Sequence, residues 1–172
     1  MMGRLTTHAM WLLDGRRARQ ERAIFGRFAT PCNLFQCRCP SQIMLRKLTS
    51  SVSIIIPTYN RATSISKAIK SALMQLADVE VVVVDDGSTD NTEMIVRNLG
   101  DGRVRFVRQE NGGSSLARAR GVSESCGQFI VFLDSDDYLL PGMIPTLLEL
   151  LQNNTAAQFA MCGAWGGATR RR

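Results

Sequence analysis

Residues 128–140 read Gln-Phe-Ile-Val-Phe-Leu-Asp-Ser-Asp-Asp-Tyr-Leu-Leu. Phe129 to Leu133 is an apolar run of strand length that stops at the carboxylates Asp134, Asp136 and Asp137. Carboxylates directly behind a buried strand cost free energy unless a cation or hydrogen-bond donors receive them. The pattern predicts a divalent cation held at the carboxyl end of a central strand. Pro141-Gly142 then opens a helical stripe of Ile144, Leu147, Leu148 and Leu151.

The same grammar recurs upstream. Val52 to Ile56 is β-branched, stops at Pro57 and predicts a buried strand, followed by the polar loop Thr58-Tyr59-Asn60-Arg61. Ile65, Ala68, Ile69, Ala72, Leu73 and Leu76 recur at helical spacing and predict a helix over 62–76. Val79 to Val84 is a second strand, broken by Asp85-Asp86-Gly87-Ser88. Ser88 or Thr89 is placed to cap a short helix through Asn98, with Met94, Ile95 and Leu99 facing inward. Val104 to Val107 is a third strand, and Asn111-Gly112-Gly113 a turn. Ser114 or Ser115 can cap a helix to about Ser125, and a further strand can start in Ala156 to Met161. Strands alternating with helices over short connections define an α/β domain with a mainly parallel sheet. Such sheets bind ligands beyond the carboxyl ends of their strands. The polar clusters at 57–61, 85–90 and 134–137 all fall there, which predicts one shared site.

The 172 residues have room for one domain, and 45% hydrophobic against 21% charged residues is the balance of a soluble globular chain. No apolar run approaches the ~20 residues that span a bilayer. Trp11 to Leu13 is too short for a secretory signal. The net charge of +6 belongs to the ends of the chain. Residues 1–50 hold nine Lys/Arg and two acids, whereas residues 51–169 hold nine and thirteen. A mildly acidic body argues against nucleic acid as partner.

Residues 1–49 are expected to be a basic, disordered leader. Their composition resembles an organelle transit peptide, and the reading preferred is a disordered extension or sequence upstream of the natural start, for which Met44 is a plausible beginning. The domain is expected over 50–162, truncated at its C-terminus, with a disordered tail over 163–172. Cys32, Cys37 and Cys39 are a weak zinc signal without an evident fourth ligand. Reduced packing roles are expected for Cys126 and Cys162, in a cytoplasmic chain or one peripheral at the inner membrane face.

Each polar cluster allows a plainer reading beside the chemical one. On an extended segment Asp134 and Asp136 would project to one side and face one cation, for which hard oxygen ligands suit Mg²⁺ or Mn²⁺. The plain reading is an Asp-rich turn capping the next helix. One carboxylate of Asp85-Asp86 could accept from a ribose hydroxyl or a base N–H, or else serve a turn and cap. Tyr59 could stack on a base, or merely face solvent. Arg118 and Arg120, about 200° apart on a helix, point different ways, so one of them is expected to reach a phosphate. No phosphate-cradling G-x-x-x-x-G-K or G-x-G-x-x-G motif is present. The one histidine, His8, lies in the leader, which excludes a His-based triad in the domain.

Taken together, VSIIIPTYNRATSISKAIKSAL at 52–73, VVVVDDGSTDNT at 81–92, NGGSSLARARG at 111–121 and GQFIVFLDSDDYLLPGMI at 127–144 resemble the family 2 glycosyltransferases. The resemblance implies the three-layer α/β/α GT-A fold, C-terminally incomplete here. It implies a nucleotide-sugar pocket at Pro57, Thr58, Tyr59 and Asn60, with Asp86 on the base and Arg118 at the donor. Asp134 and Asp136 would form the D-x-D metal site for Mg²⁺ or Mn²⁺, Asp136 as the more direct ligand. The implied donor is a nucleotide-diphospho-sugar, a UDP-sugar before a GDP- or dTDP-sugar, and the acceptor a glycan or lipid-linked hydroxyl. Ala119 stands where the family pattern often has Asn. The family's catalytic base belongs to an acceptor-binding half, and no residue here matches it. The expectation is a metal-dependent glycosyltransferase whose catalytic residue is unknown, with a non-catalytic nucleotide-sugar-binding module as the alternative. A sugar-phosphate nucleotidyltransferase is disfavoured because its Gly-rich first loop is missing after Ile56.

Overall fold

The computed structural model of the chain describes residues 10–14, 52–75, 78–154 and 156–163. The elements run β1 (Met10–Asp14), β2 (Val52–Thr58), α1 (Ile65–Leu73), β3 (Val79–Asp85), α2 (Thr92–Asn98), β4 (Val104–Arg108), α3 (Ser114–Glu124), β5 (Phe129–Phe132), α4 (Met143–Asn153) and β6 (Phe159–Cys162). The strands form one sheet in the order β4-β3-β2-β5-β1-β6. Neighbours among β2, β3, β4 and β5 are parallel, and β1 runs antiparallel to both β5 and β6. Among the described residues no helix is long and apolar enough to cross a membrane.

Strands buried on both faces read as continuous apolar runs, which is why Ile54-Ile55-Ile56 and Val81 to Val84 do not alternate with polar residues. Successive side chains go to opposite faces. Ile54, Ile56, Val81, Val83 and Val131 join Ile65 and Ile69 of α1, Val96 of α2, and Ile144 and Leu147 of α4 in one core. Val82 and Val84 meet Ala117 of α3 on the other face. The result is the expected three layers. Gly121 lets α3 lie directly on β2: a Cβ there would overlap Cγ2 of Ile55.

Pro57 does not end β2, which continues to Thr58. The Ile55 carbonyl accepts from Leu133 N at 3.0 Å, so Ile55, and by alternation Pro57, turns toward β5. The pairing with β5 stops at Ile55–Phe132. The missing N–H of Pro57 therefore faces the gap beyond β5, where no ladder bond is lost. Meanwhile Thr58 O accepts from Asp86 N at 2.9 Å and holds β2 to β3.

Other expectations are corrected. Met10–Asp14, inside the stretch expected to be a disordered leader, is a strand between β5 and β6, with Leu12 opposite both Val131 and Ala160. The first helix starts at Ile65 rather than 62, after a turn in which Ser64 N and Ile65 N both donate to Arg61 O. In α2, Met94 is 54% exposed and Val96 is the buried residue, because the helix is phased from Thr92, itself fully buried. Neither Ser88 nor Thr89 caps it: Asp90 Oδ1 accepts from Thr92 N at 3.0 Å. The residue before α3 is Gly113 (φ 90°), so neither Ser114 nor Ser115 is its cap. Leu76, the Cys32/Cys37/Cys39 cluster and residues 164–172 lie outside the described residues.

Candidate functional site

From β2 the chain lays β3 and β4 to one side, then crosses through α3 to lay β5 on the other. The loops beyond β2 and β5 therefore part, which is where open α/β sheets form their crevice. A cleft of about 370 Å³ lies there. Pro57, Thr58, Tyr59 and Arg61 line it from the β2 end, Asp86 from the β3 end, and Ser114, Ala117 and Arg118 from α3. Asp134, Ser135 and Asp136 line it from the loop after β5. Seven of the expected site residues, Pro57, Thr58, Tyr59, Asp86, Arg118, Asp134 and Asp136, thus share one cleft.

Asn60 does not line it. It adopts φ 51°, and its Oδ1 accepts from Thr89 N at 2.8 Å while its own N–H donates to Ser88 Oγ at 2.8 Å. Asn tolerates the left-handed region better than most residues. Its role in this fold is to tie the β2 loop to the β3 loop. Arg61 N and Ala62 N extend the tie, donating to Thr92 Oγ1 and Asp90 Oδ2 at 3.1 Å each.

Asp86, 4% exposed, has both oxygens engaged. Oδ1 accepts from Gln109 Nε2 at 2.7 Å and Gly112 N at 2.9 Å, and Oδ2 from Gly113 N at 2.7 Å. The carboxylate thereby receives N–H groups at the start of α3, a favoured place for negative charge. Burial alone would raise its pKa, but the Gly112, Gln109 and Gly113 donors outweigh burial and hold it below the usual 3.8. Bonds from the Thr92 side chain, Ala62 N and Thr92 N likewise lower Asp90 against its desolvation. Arg103 brings Asp101 down to about 2.

A folded-state pKa below the unfolded one gives stability that is present above the unfolded pKa and lost as pH falls through the folded one. The melting temperature is accordingly expected to be flat down to about pH 5 and to fall steeply below pH 4. Asp86→Asn and Asp90→Asn should each flatten that acid limb. An acid limb of unchanged slope in both variants would place the sensitivity elsewhere.

The D-x-D segment is a turn, not an extended segment: Asp137 N donates to Asp134 O at 3.0 Å. The two carboxylates consequently meet different partners. Arg118 Nη2 lies 2.6 Å from Asp134 Oδ1, and Arg61 Nη2 lies 3.7 Å from Asp136 Oδ2. Arg120 turns away to pair with Glu124 at 2.9 Å, as the helical phase predicts. The turn is held from behind by α1. Leu139 N donates to Ser71 Oγ at 2.9 Å, and buried Gln75 bridges Leu140 O and Ile144 N at 3.2 Å each.

Among the described residues no group of three or more His, Cys, Asp or Glu side chains could hold a metal. The donor set is two carboxylates, and Mg²⁺ commonly takes one or two carboxylates plus phosphate oxygens and water. Thr58 is among the residues that line the cleft, while its hydroxyl is buried and has no hydrogen-bond partner. Two carboxylates and two guanidiniums lining one cleft fit a polar, phosphate-bearing ligand with its cation. Gln75 carries no sequence signal as a support residue, and the sequence marks Arg61 and Asp90 only as members of the polar clusters at 57–61 and 85–90.

The chain is similar to proteins of one kind. It is 37% identical over 116 residues to the GalNAc(5)-diNAcBac-PP-undecaprenol beta-1,3-glucosyltransferase of Campylobacter jejuni, covering 64% of this chain and 38% of that one. It is 44% identical over 110 residues to the chondroitin synthase of Pasteurella multocida, covering 62% of this chain and 11% of that one. The chain thus spans less than two fifths of either curated relative. Among solved structures, residues 1–349 of TarS from S. aureus in complex with UDP-GlcNAc superpose with a TM-score of 0.57 at 31% identity, over 61% of this chain and 32% of that one. The mannosyltransferase PcManGT of Pyrobaculum calidifontis, in complex with GDP-Man and Mn²⁺, gives 0.57 at 27% identity, over 60% and 33%. The profile of the glycosyl transferase family 2 matches residues 53–169, and the chain belongs to that family.

Proposed function

We propose that the cleft binds the nucleotide-diphospho-sugar donor of a sugar transfer to an acceptor hydroxyl, with Asp134 and Asp136 taking Mg²⁺ or Mn²⁺. The observation that carries this reading is the meeting of two carboxylates and two guanidiniums in one cleft beyond the ends of β2 and β5. The UDP-GlcNAc and the GDP-Man with Mn²⁺ in the two similar structures support the ligand class. Tyr59 offers a half-exposed ring to the nucleoside, and Arg118 a guanidinium to its phosphates. A divalent cation bound there supplies Lewis-acid neutralisation of the diphosphate as it leaves the anomeric carbon. Asp134 and Asp136 hold that charge in place. The cleft reading assigns no general base.

Calorimetric titration of UDP- and GDP-sugars with and without Mn²⁺ tests the reading. Binding is expected only with Mn²⁺, and Asp136→Ala should weaken it by at least about tenfold. Asp137→Ala, one residue on and not in the cleft lining, should leave it within about twofold. Binding that ignores Mn²⁺ and survives Asp136→Ala would refute the metal assignment. Donor hydrolysis without acceptor separates a transferring protein from a module that only holds the donor.

A further inference from the structure

The carboxylates that the donor site would offer to a cation are each faced by an arginine in the free protein, but the two pairs differ in strength. Arg118 and Asp134 are 2.6 Å apart and about one-third exposed. Arg61 and Asp136 are 3.7 Å apart, with side chains 51% and 59% exposed, so theirs is the looser pair. The main chain at Arg61 is nevertheless pinned, its N–H donating to Thr92 Oγ1, so a change of partner would fall to the side chain alone.

Resting on the donor-site reading, we propose that Arg61 is a counter-ion that changes partner. It holds Asp136 in the free protein and turns to a diphosphate oxygen of the nucleotide when Asp136 ligates the divalent cation. A divalent cation on Asp136 repels the guanidinium and so weakens a pair that is already loose. Charge balance favours exchange over simple loss. Asp134 and Asp136 match Arg61 and Arg118 in the free cleft, while Asp86 is satisfied by its own three donors. A dication with a diphosphate brings both signs, so the carboxylates and the guanidiniums can each be re-paired and none is left alone. Arg61 is thus a positioning residue that keeps the cation out until the nucleotide arrives, and so couples the two bindings.

The test measures Mn²⁺ alone by electron paramagnetic resonance and UDP and GDP at saturating Mn²⁺ by calorimetry, on the full chain. Arg61→Gln is expected to bind Mn²⁺ alone about fivefold more tightly, because the competing pair is gone. It should bind the nucleotide about tenfold more weakly, because a charged contact to phosphate is lost. Arg61→Lys, which keeps the charge, should fall between. These opposite signs distinguish exchange from a merely structural role, which would weaken both. Unchanged or weaker Mn²⁺ binding by Arg61→Gln, or none detectable in it, overturns the proposal. If wild type binds UDP or GDP with Mn²⁺ and Arg61→Gln alters neither constant, the donor reading stands and the exchange falls. If Arg61→Gln tightens Mn²⁺ alone while no nucleotide binds wild type, the hold on Asp136 stands and the donor reading falls.

Discussion

Asp86→Ala is expected to cost about 3 kcal/mol of stability and to abolish nucleotide binding together with it. The substitution strips the acceptor from three donors at once: Gln109 Nε2, Gly112 N and Gly113 N. Leaving each buried donor unpaired costs about 1–3 kcal/mol, and water entering from the cleft recovers part of it. The loss is local before it is global, because the three donors lie in the loop that launches α3 and so set where Arg118 stands. Urea denaturation should show a lower midpoint at an unchanged slope, and amide exchange at Gly112 and Gly113 should accelerate first. Asp86→Asn keeps the volume and one acceptor but aims an N–H₂ group at an N–H donor, so an intermediate loss is expected. If Asp86→Ala melts within about 1 °C of wild type, the carboxylate is not the anchor described here.

Gly127→Ala is expected to be as damaging, at the opposite end of the sheet, with a cost of about 3 kcal/mol. A Cβ at Gly127 would sit 2.5 Å from Ser53 Oγ, 2.6 Å from Ser53 N and 3.0 Å from Val52 C, and the latter two are main-chain atoms of β2 that cannot rotate away. The approach is close because Glu80 gathers the chain there. Its Oε1 accepts from Ser53 Oγ, from Cys126 N at 2.6 Å and from Gly127 N at 3.2 Å. Moving Gly127 outward to make room would break this latch between β2, β3 and the entry to β5. Gly102, with open space around it and no positive φ, is the control: Gly102→Ala should change stability by no more than about 0.5 kcal/mol. Equal melting temperatures for Gly127→Ala and Gly102→Ala would show that the chain around Ser53 gives way more easily than its packing implies.

The order of strands and helices was legible because their residues obey local rules. The β-branched runs at 52–56 and 81–84 can only be strands buried on both faces. The stripe of Ile144, Leu147, Leu148 and Leu151 is buried in full. Helix phase was legible only where the stripe was long. In the seven-residue α2, Ile95 and Leu99 pack against the core as expected, but Val96 is buried where Met94, about half a turn away, was expected. The strand Met10–Asp14 was missed for a different reason. Five residues carry little signal by themselves, and this strand exists through backbone bonds to β5 and β6, partners more than a hundred residues away in sequence. The support residues Glu80 and Gln75 were missed in the same way, since nothing in their neighbourhoods distinguishes them from solvent-facing polar residues.

By itself the sequence determined that polar clusters would gather at the carboxyl ends of parallel strands, because a buried strand must shed its charges at its ends. It placed carboxylates at one of those ends too, since Asp134, Asp136 and Asp137 follow the central strand directly. Tertiary structure alone decided what each of those groups does in the free protein. Asp86 anchors the start of α3, Asn60 ties two loops and lies outside the cleft lining, and Asp134 and Asp136 face Arg118 and Arg61. The physical reason is that an ionic group's role is set by the nearest group able to satisfy it. For these four residues that group lies 16 to 75 positions away in the chain and is brought near only by the folding of the sheet.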